Sequence, residues 1–227
     1  MGWQSDRYWP ARDQLLTEKK IVRGLGRGGS VRLATPQTAP PAPVPAAPPL
    51  KQEADLYAPA AKVLESEWAK DFNLDDFFVQ ITAKQGRRET GGTWTRPDIV
   101  MVTVTNYQFL FGKVVDVITF EIKGTEGFDV TAIYEAMAQR RAATRSYVLI
   151  YCPADQRESL NPTIQEVSEE AKRQGVGLIV AADIANYTTW EFLVEAEREE
   201  PDPARLEDFV GVQVNEDNKR KLRKWVK

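Results

Sequence analysis

"VITFEIKG", residues 117–124, is an apolar run of the kind that becomes a buried strand, yet Glu121 and Lys123 stand two positions apart within it. Side chains alternate across a strand. Val117, Thr119, Glu121 and Lys123 therefore share one side, and Ile118, Phe120 and Ile122 the other. The acid and the base emerge together at the C-terminal end. Upstream, "RPDIVMVTVT", residues 96–105, is a second run rich in Val and Ile, opened by Asp98 after Pro97. An antiparallel hairpin of the two runs puts the start of one beside the end of the other. Asp98, Glu121 and Lys123 then form one cluster. Two carboxylates can hold a divalent cation, and a lysine beside them can orient or deprotonate an attacking water.

Composition narrows the chemistry further. The 227 residues contain no histidine and a single cysteine, Cys152. Ser-His-Asp and Cys-His nucleophilic sites are excluded, as are zinc sites built on His or clustered Cys. Any metal must be held by oxygen, which favours Mg²⁺ or Mn²⁺. A lone cysteine cannot form an intramolecular disulfide, so a cytoplasmic home is expected. The first ten residues, "MGWQSDRYWP", lack a basic-then-apolar secretory pattern. No apolar run is long enough to span a membrane, so no membrane partner is expected.

Residues 35–50 form a Pro-rich linker; the stretch 34–50 holds seven prolines and no charge. Before it, residues 1–33 carry seven Lys/Arg against three Asp/Glu, whereas the whole chain is net −3. That piece, residues 1–34, reads as a helix over about 6–19 and two short strands, 20–23 and 30–34, around "GLGRGG". Residues 51–227 form the main domain. Its helix over 53–72 has Leu56, Ala60, Val63, Leu64 and Trp68 on one stripe. Strands follow at 77–86, 96–105 and 115–123, a helix over 129–144, a strand at 146–152, a helix ended by Gly175, and a strand after it. The order α-β-β-β-α-β-α-β implies an α/β fold with a mixed, largely parallel central sheet between helices. The basic C-terminal "NKRKLRKWVK" reads as a further helix.

"RPD" followed by "FEIKG", in this order of elements, resembles the PD-(D/E)xK nuclease superfamily over about residues 53–152. The resemblance implies a restriction endonuclease-like core (αβββαβ) and Mg²⁺- or Mn²⁺-dependent hydrolysis of phosphodiester bonds. Carried over, Asp98 and Glu121 are metal ligands, the Ile122 carbonyl completes the metal shell, and Lys123 activates water. A further acid comes from the first helix in many members; Glu65 and Glu53 are the candidates, with Glu67 less favoured. Some subfamilies place a Gln and a Tyr four apart on the following helix. Here Gln139 is followed at that spacing by Ala143, and it shares a face with Glu135. The N-terminal piece resembles the last helix and wing of a winged-helix domain, which would set Arg23, Arg27 and Arg32 at DNA phosphates. It is too short to bury much core alone, so packing on the main domain or on a second copy is expected. Lys84, Arg87 and Arg88 flank the loop before Asp98 and suit the nucleic-acid backbone; Arg140, Arg141 and Arg145 are placed on the helix after the "EIK" strand. DNA is expected over RNA, with restriction, repair or antiphage defence as the setting. A homo-oligomer or regulatory partner is left open. The competing expectation is that Glu121 and Lys123 are a surface ion pair and Asp98 marks a turn, or that the fold binds nucleic acid without cutting it.

Overall fold

The computed structural model describes residues 11–12, 14–18, 20–23, 31–33, 52–83, 96–107, 109, 112–126 and 128–227. It divides into two units, Met1–Pro49 and Leu50–Lys227. In the first, residues 11–12 and 14–17 are helical. Strands β1 (Ile21–Arg23) and β2 (Val31–Leu33) pair antiparallel, with Val22 opposite Arg32.

The second unit is an α/β fold around one six-stranded sheet in the order β3 (Asp76–Ile81), β4 (Ile99–Asn106), β5 (Lys113–Lys123), β6 (Arg145–Tyr151), β7 (Gly177–Ala181) and β8 (Trp190–Val194). The sheet is mixed, but not largely parallel as expected: only β5–β6 and β6–β7 are parallel, while the other three pairs are antiparallel. The reason is connectivity. Only β5 and β6 are followed by crossover helices, α3 (Thr131–Arg140) and α4 (Arg157–Gln174), and parallel neighbours need such a crossover.

Helices cover both faces. On one lie α1 (Tyr57–Val63), a π-helical turn (Leu64–Trp68) and α2 (Ala69–Asp71), where a single helix was expected. Pro59 sits in the first turn of α1, where a missing N–H costs no helical bond. Leu56, Ala60, Leu64 and Trp68 pack on Ile99, Met101, Ile118, Phe120 and Ile122. Residues of α3 and α4 pack on the opposite face of β6 and β7, through Ile133, Ala136, Val167, Val148, Ile150 and Leu178. Gly175 ends α4 in the left-handed region at φ 64°, where glycine carries no Cβ penalty.

Two terminal helices complete that second face. Helix α5 (Pro203–Gln213) starts at an Asp202 cap, and α6 (Glu216–Trp225) at an Asn215 cap. Phe209 and Val214 pack on Phe78, Val100, Val102 and Val117. Gln80, buried on edge strand β3, ties the junction down. Its Nε2 donates to the Gln213 carbonyl at 2.7 Å, and its Oε1 accepts from Asn215 N and Asn218 Nδ2. Sequence periodicity did not reveal β8 or α5. Helix α3 stops at Arg140 rather than 144, so Arg145 begins β6 instead of lying on the helix. Thr144 bonds back to Val117 there, which turns the chain into the strand.

Candidate functional site

The β4–β5 register sets Ile99 opposite Phe120, and Asp98 N donates to Phe120 O at 3.1 Å. Asp98 therefore sits at the ladder's end beside Glu121. Its Oδ2 accepts from Ile122 N at 2.8 Å, standing in for a backbone carbonyl that the ladder no longer supplies. Glu121 and Lys123 lie on the side of β5 that faces α3. The Lys123 ammonium donates to Glu121 Oε1 at 2.7 Å and pairs with Glu135 Oε2 at 2.9 Å. Gln139 Nε2 donates to Glu121 Oε2 at 2.8 Å. Lys123 and Glu121 are 17% and 10% exposed at their side chains, so they are not a surface ion pair.

The opposite layer reaches the same strand end. Tyr57 on α1 donates to Glu53 Oε1 at 3.0 Å, and its hydroxyl also favours the Asp98 anion. Glu53 thereby joins the cluster's rim, and its charge is felt at Asp98 and Lys123. Glu65 is exposed, two helical turns beyond Tyr57 and about 12 Å further along the axis, and Glu67 is exposed and bonded to Ser66. Among the described residues neither contacts Asp98, Glu121 or Lys123. Sequence reasoning missed Tyr57 and the part taken by Glu135. The available signals were i,i+4 spacings, Glu53–Tyr57 and Glu135–Gln139.

Of the anticipated backbone-gripping residues, Arg27, Lys84, Arg87 and Arg88 lie outside the described residues, as do the side chains of Arg23 and Arg32. Arg140 is committed elsewhere: it is buried against the Gln174 carbonyl, Glu199 at 2.7 Å and Glu197 at 3.6 Å. Trp190 is buried beside Trp68.

Desolvation governs the electrostatics. Burial pushes the Asp98 pKa up to about 6, against the opposing pull of the Ile122 N–H and the Tyr57 hydroxyl. Burial, then the charge of Asp98, pushes Glu121 up to about 7, although Lys123 and Gln139 favour its anion. Burial acts against the Lys123 ammonium, but its bonds to Glu121 and Glu135 outweigh that and hold its pKa above the ordinary value. The folded pair thus binds protons that the unfolded chain has released. Its stabilising share is complete below about pH 4 and is lost as pH rises through 6 to 7. In metal-free buffer, the stability of wild type relative to Glu121→Gln should therefore fall between pH 5 and 8. Thermal melts of both proteins across that range check this, and a constant difference refutes it.

Glu121 and Glu135 pair with the Lys123 ammonium, and Asp98 and Glu53 act on the same cluster through their charge, an acidic excess of the kind a divalent cation balances. Among the described residues no three acids converge as a ready cage. Mg²⁺ commonly takes one or two carboxylates and leaves its remaining positions to water and phosphate. Asp98 and Glu121 are two carboxylates of the kind such an ion could take. No family model, curated protein or solved structure matches the chain.

Proposed function

We propose that this protein is a Mg²⁺- or Mn²⁺-dependent nuclease with a restriction endonuclease-like core, hydrolysing phosphodiester bonds of DNA. The observation that carries the reading is the meeting of Asp98, Glu121 and Lys123 at adjacent strand ends, with Asp98 locked to the Ile122 N–H at 2.8 Å. Asp98 and Glu121 would hold the cation, and Glu53 borders them through Tyr57. The ion would supply positive charge where negative charge develops on the phosphate.

The chain's own residues supply the rest. Gln139 and Lys123 each bind a different oxygen of Glu121 and so fix its carboxylate plane. Lys123, held as an ammonium, offers N–H donors to a phosphate oxygen and steadies charge there as the bond to the leaving oxygen breaks. In this protonation state it orients and stabilises rather than removing a proton from water. A role in restriction, repair or defence rests on the superfamily resemblance alone.

A second reading has one observation in its favour. Lys123 is already engaged by two carboxylates, Glu121 and Glu135, as in a fold that binds nucleic acid without cutting it. Incubation with supercoiled plasmid separates the two. Nicking or linearisation with Mg²⁺ or Mn²⁺, stopped by chelator, is the expected result. No cleavage of DNA or RNA with either ion leaves the binding reading standing.

A further inference from the structure

The C-terminal helix α6 carries Lys219, Arg220, Lys221, Arg223 and Lys224, and Lys227 follows it, on a chain that is net −3. Only Glu216 and Asp217, in its first turn, oppose them. Complementing the helix dipole needs cations only in the last turn, so Lys219 to Lys221 exceed that requirement. Two of the six are spoken for. Lys219 donates to the Gly211 carbonyl at 2.6 Å and pairs with Glu216 at 2.9 Å, and Arg220 pairs with Asp217. Lys221, Arg223, Lys224 and Lys227 are exposed, and no ion pair joins them to another of the described residues.

The other side of α6 is already used. Trp225 stacks on Phe78 with ring centres 6.1 Å apart, Leu222 packs beside Phe209 and Val214, and Asn218 is held by Gln80. A helix that lies in a bilayer surface keeps its apolar face for lipid. Here Leu222 and Trp225 are half-buried against the fold, and apart from Val226 what remains outward beyond the first turn is cationic. Such an array matches a polymer of closely spaced phosphates.

We infer that α6 is a nucleic-acid backbone-binding element, with Lys221, Arg223, Lys224 and Lys227 contacting phosphates. The choice of polymer rests on the nuclease reading of the strand-end site, but the placement of the surface does not. Its contacts are sequence-independent, because they reach phosphates rather than base edges.

The test is binding of a short labelled DNA duplex by the full chain in chelator, where cleavage is silent. Changing all four residues to Ala should weaken binding about tenfold or more at moderate salt and reduce the salt slope by about 0.9 for each phosphate that is no longer neutralised. A variant with Lys221, Lys224 and Lys227 changed to Arg should bind like wild type, which separates charge from fold. Unchanged affinity and slope in the Ala variant overturn the inference. So does wild type binding to phosphatidylserine vesicles with no binding to the duplex. Intact, α6-dependent binding without cleavage on restoring Mg²⁺ sinks the nuclease reading while leaving this one in place.

Discussion

Replacing Lys123 by Ala lowers plasmid cleavage by about 100- to 1,000-fold, the usual cost of removing one preorganised donor to a charged transition state. Lys123 ends β5, and Gln139 still holds Glu121 in the variant, so the strand keeps its place; circular dichroism and a melt confirm the fold before cleavage is compared. Glu121→Gln is the sharper companion. Gln keeps the shape beside Gln139 and Lys123 but removes a buried anion whose pKa is pushed up to about 7. Cleavage is lost, whereas stability at pH 8 in metal-free buffer rises, since the desolvation penalty disappears. A purely structural ion pair predicts the reverse, because breaking it strands a charge. Cleavage assays together with melts decide between them. Near-normal cleavage by Lys123→Ala rejects the catalytic assignment, whereas a Glu121→Gln protein less stable at pH 8 means that the ion pair with Lys123 outweighs the desolvation of Glu121.

Trp68→Ala destabilises the larger unit by about 3–5 kcal/mol. Trp68 is 1% exposed and touches aromatic rings on three sides: stacked on Phe72 at 4.6 Å, edge-on to Phe120 and Tyr147 at 5.5 Å each, and tilted against Phe192 at 5.2 Å. Deleting the indole opens a cavity between the first helical layer and β5–β6, where rigid rings cannot collapse inward. The expected fall in melting midpoint is roughly 10 °C for a unit of this size. Chemical denaturation measures the effect directly, and a loss under about 1 kcal/mol would mean that the neighbouring rings close the gap. Glu121 lies on the other side of β5, so this variant loses stability while its isolated site chemistry is spared.

Much of the sheet was legible because its rules are local. Alternation along 117–123 sorts Phe120 and Ile122 from Glu121 and Lys123 without reference to any other segment. A strand–turn–strand sequence with Gly112 at its bend implies antiparallel pairing, which brings Asp98 to Glu121. Gly112 does take positive φ, at 83°. Strand β8 escaped notice because "WEFLV" is short, and α5 because "RLEDFVG" has too narrow an apolar stripe to stand out. The direction of the outer pairs depended on how the chain returns, through hairpins rather than crossovers, and composition is silent on that. Arg140 illustrates a limit of another kind: it looks like a free cation in the sequence, and only the packed fold surrounds it with Glu197, Glu199 and the end of α4.

By itself the sequence restricted any metal site to oxygen ligands, through the absence of histidine and the single cysteine, and determined the side of β5 on which Glu121 and Lys123 emerge. Both follow from residue identity and a two-residue period, which require no distant partner. Only the tertiary structure decided that Glu53, not Glu65, borders the site, that Tyr57 and Glu135 enter from opposite layers, and that Lys123 is held between two acids. Those outcomes depend on desolvation and Coulomb forces. Their size is set by which other segments the fold brings within a few ångströms, and a one-dimensional pattern carries no such distance.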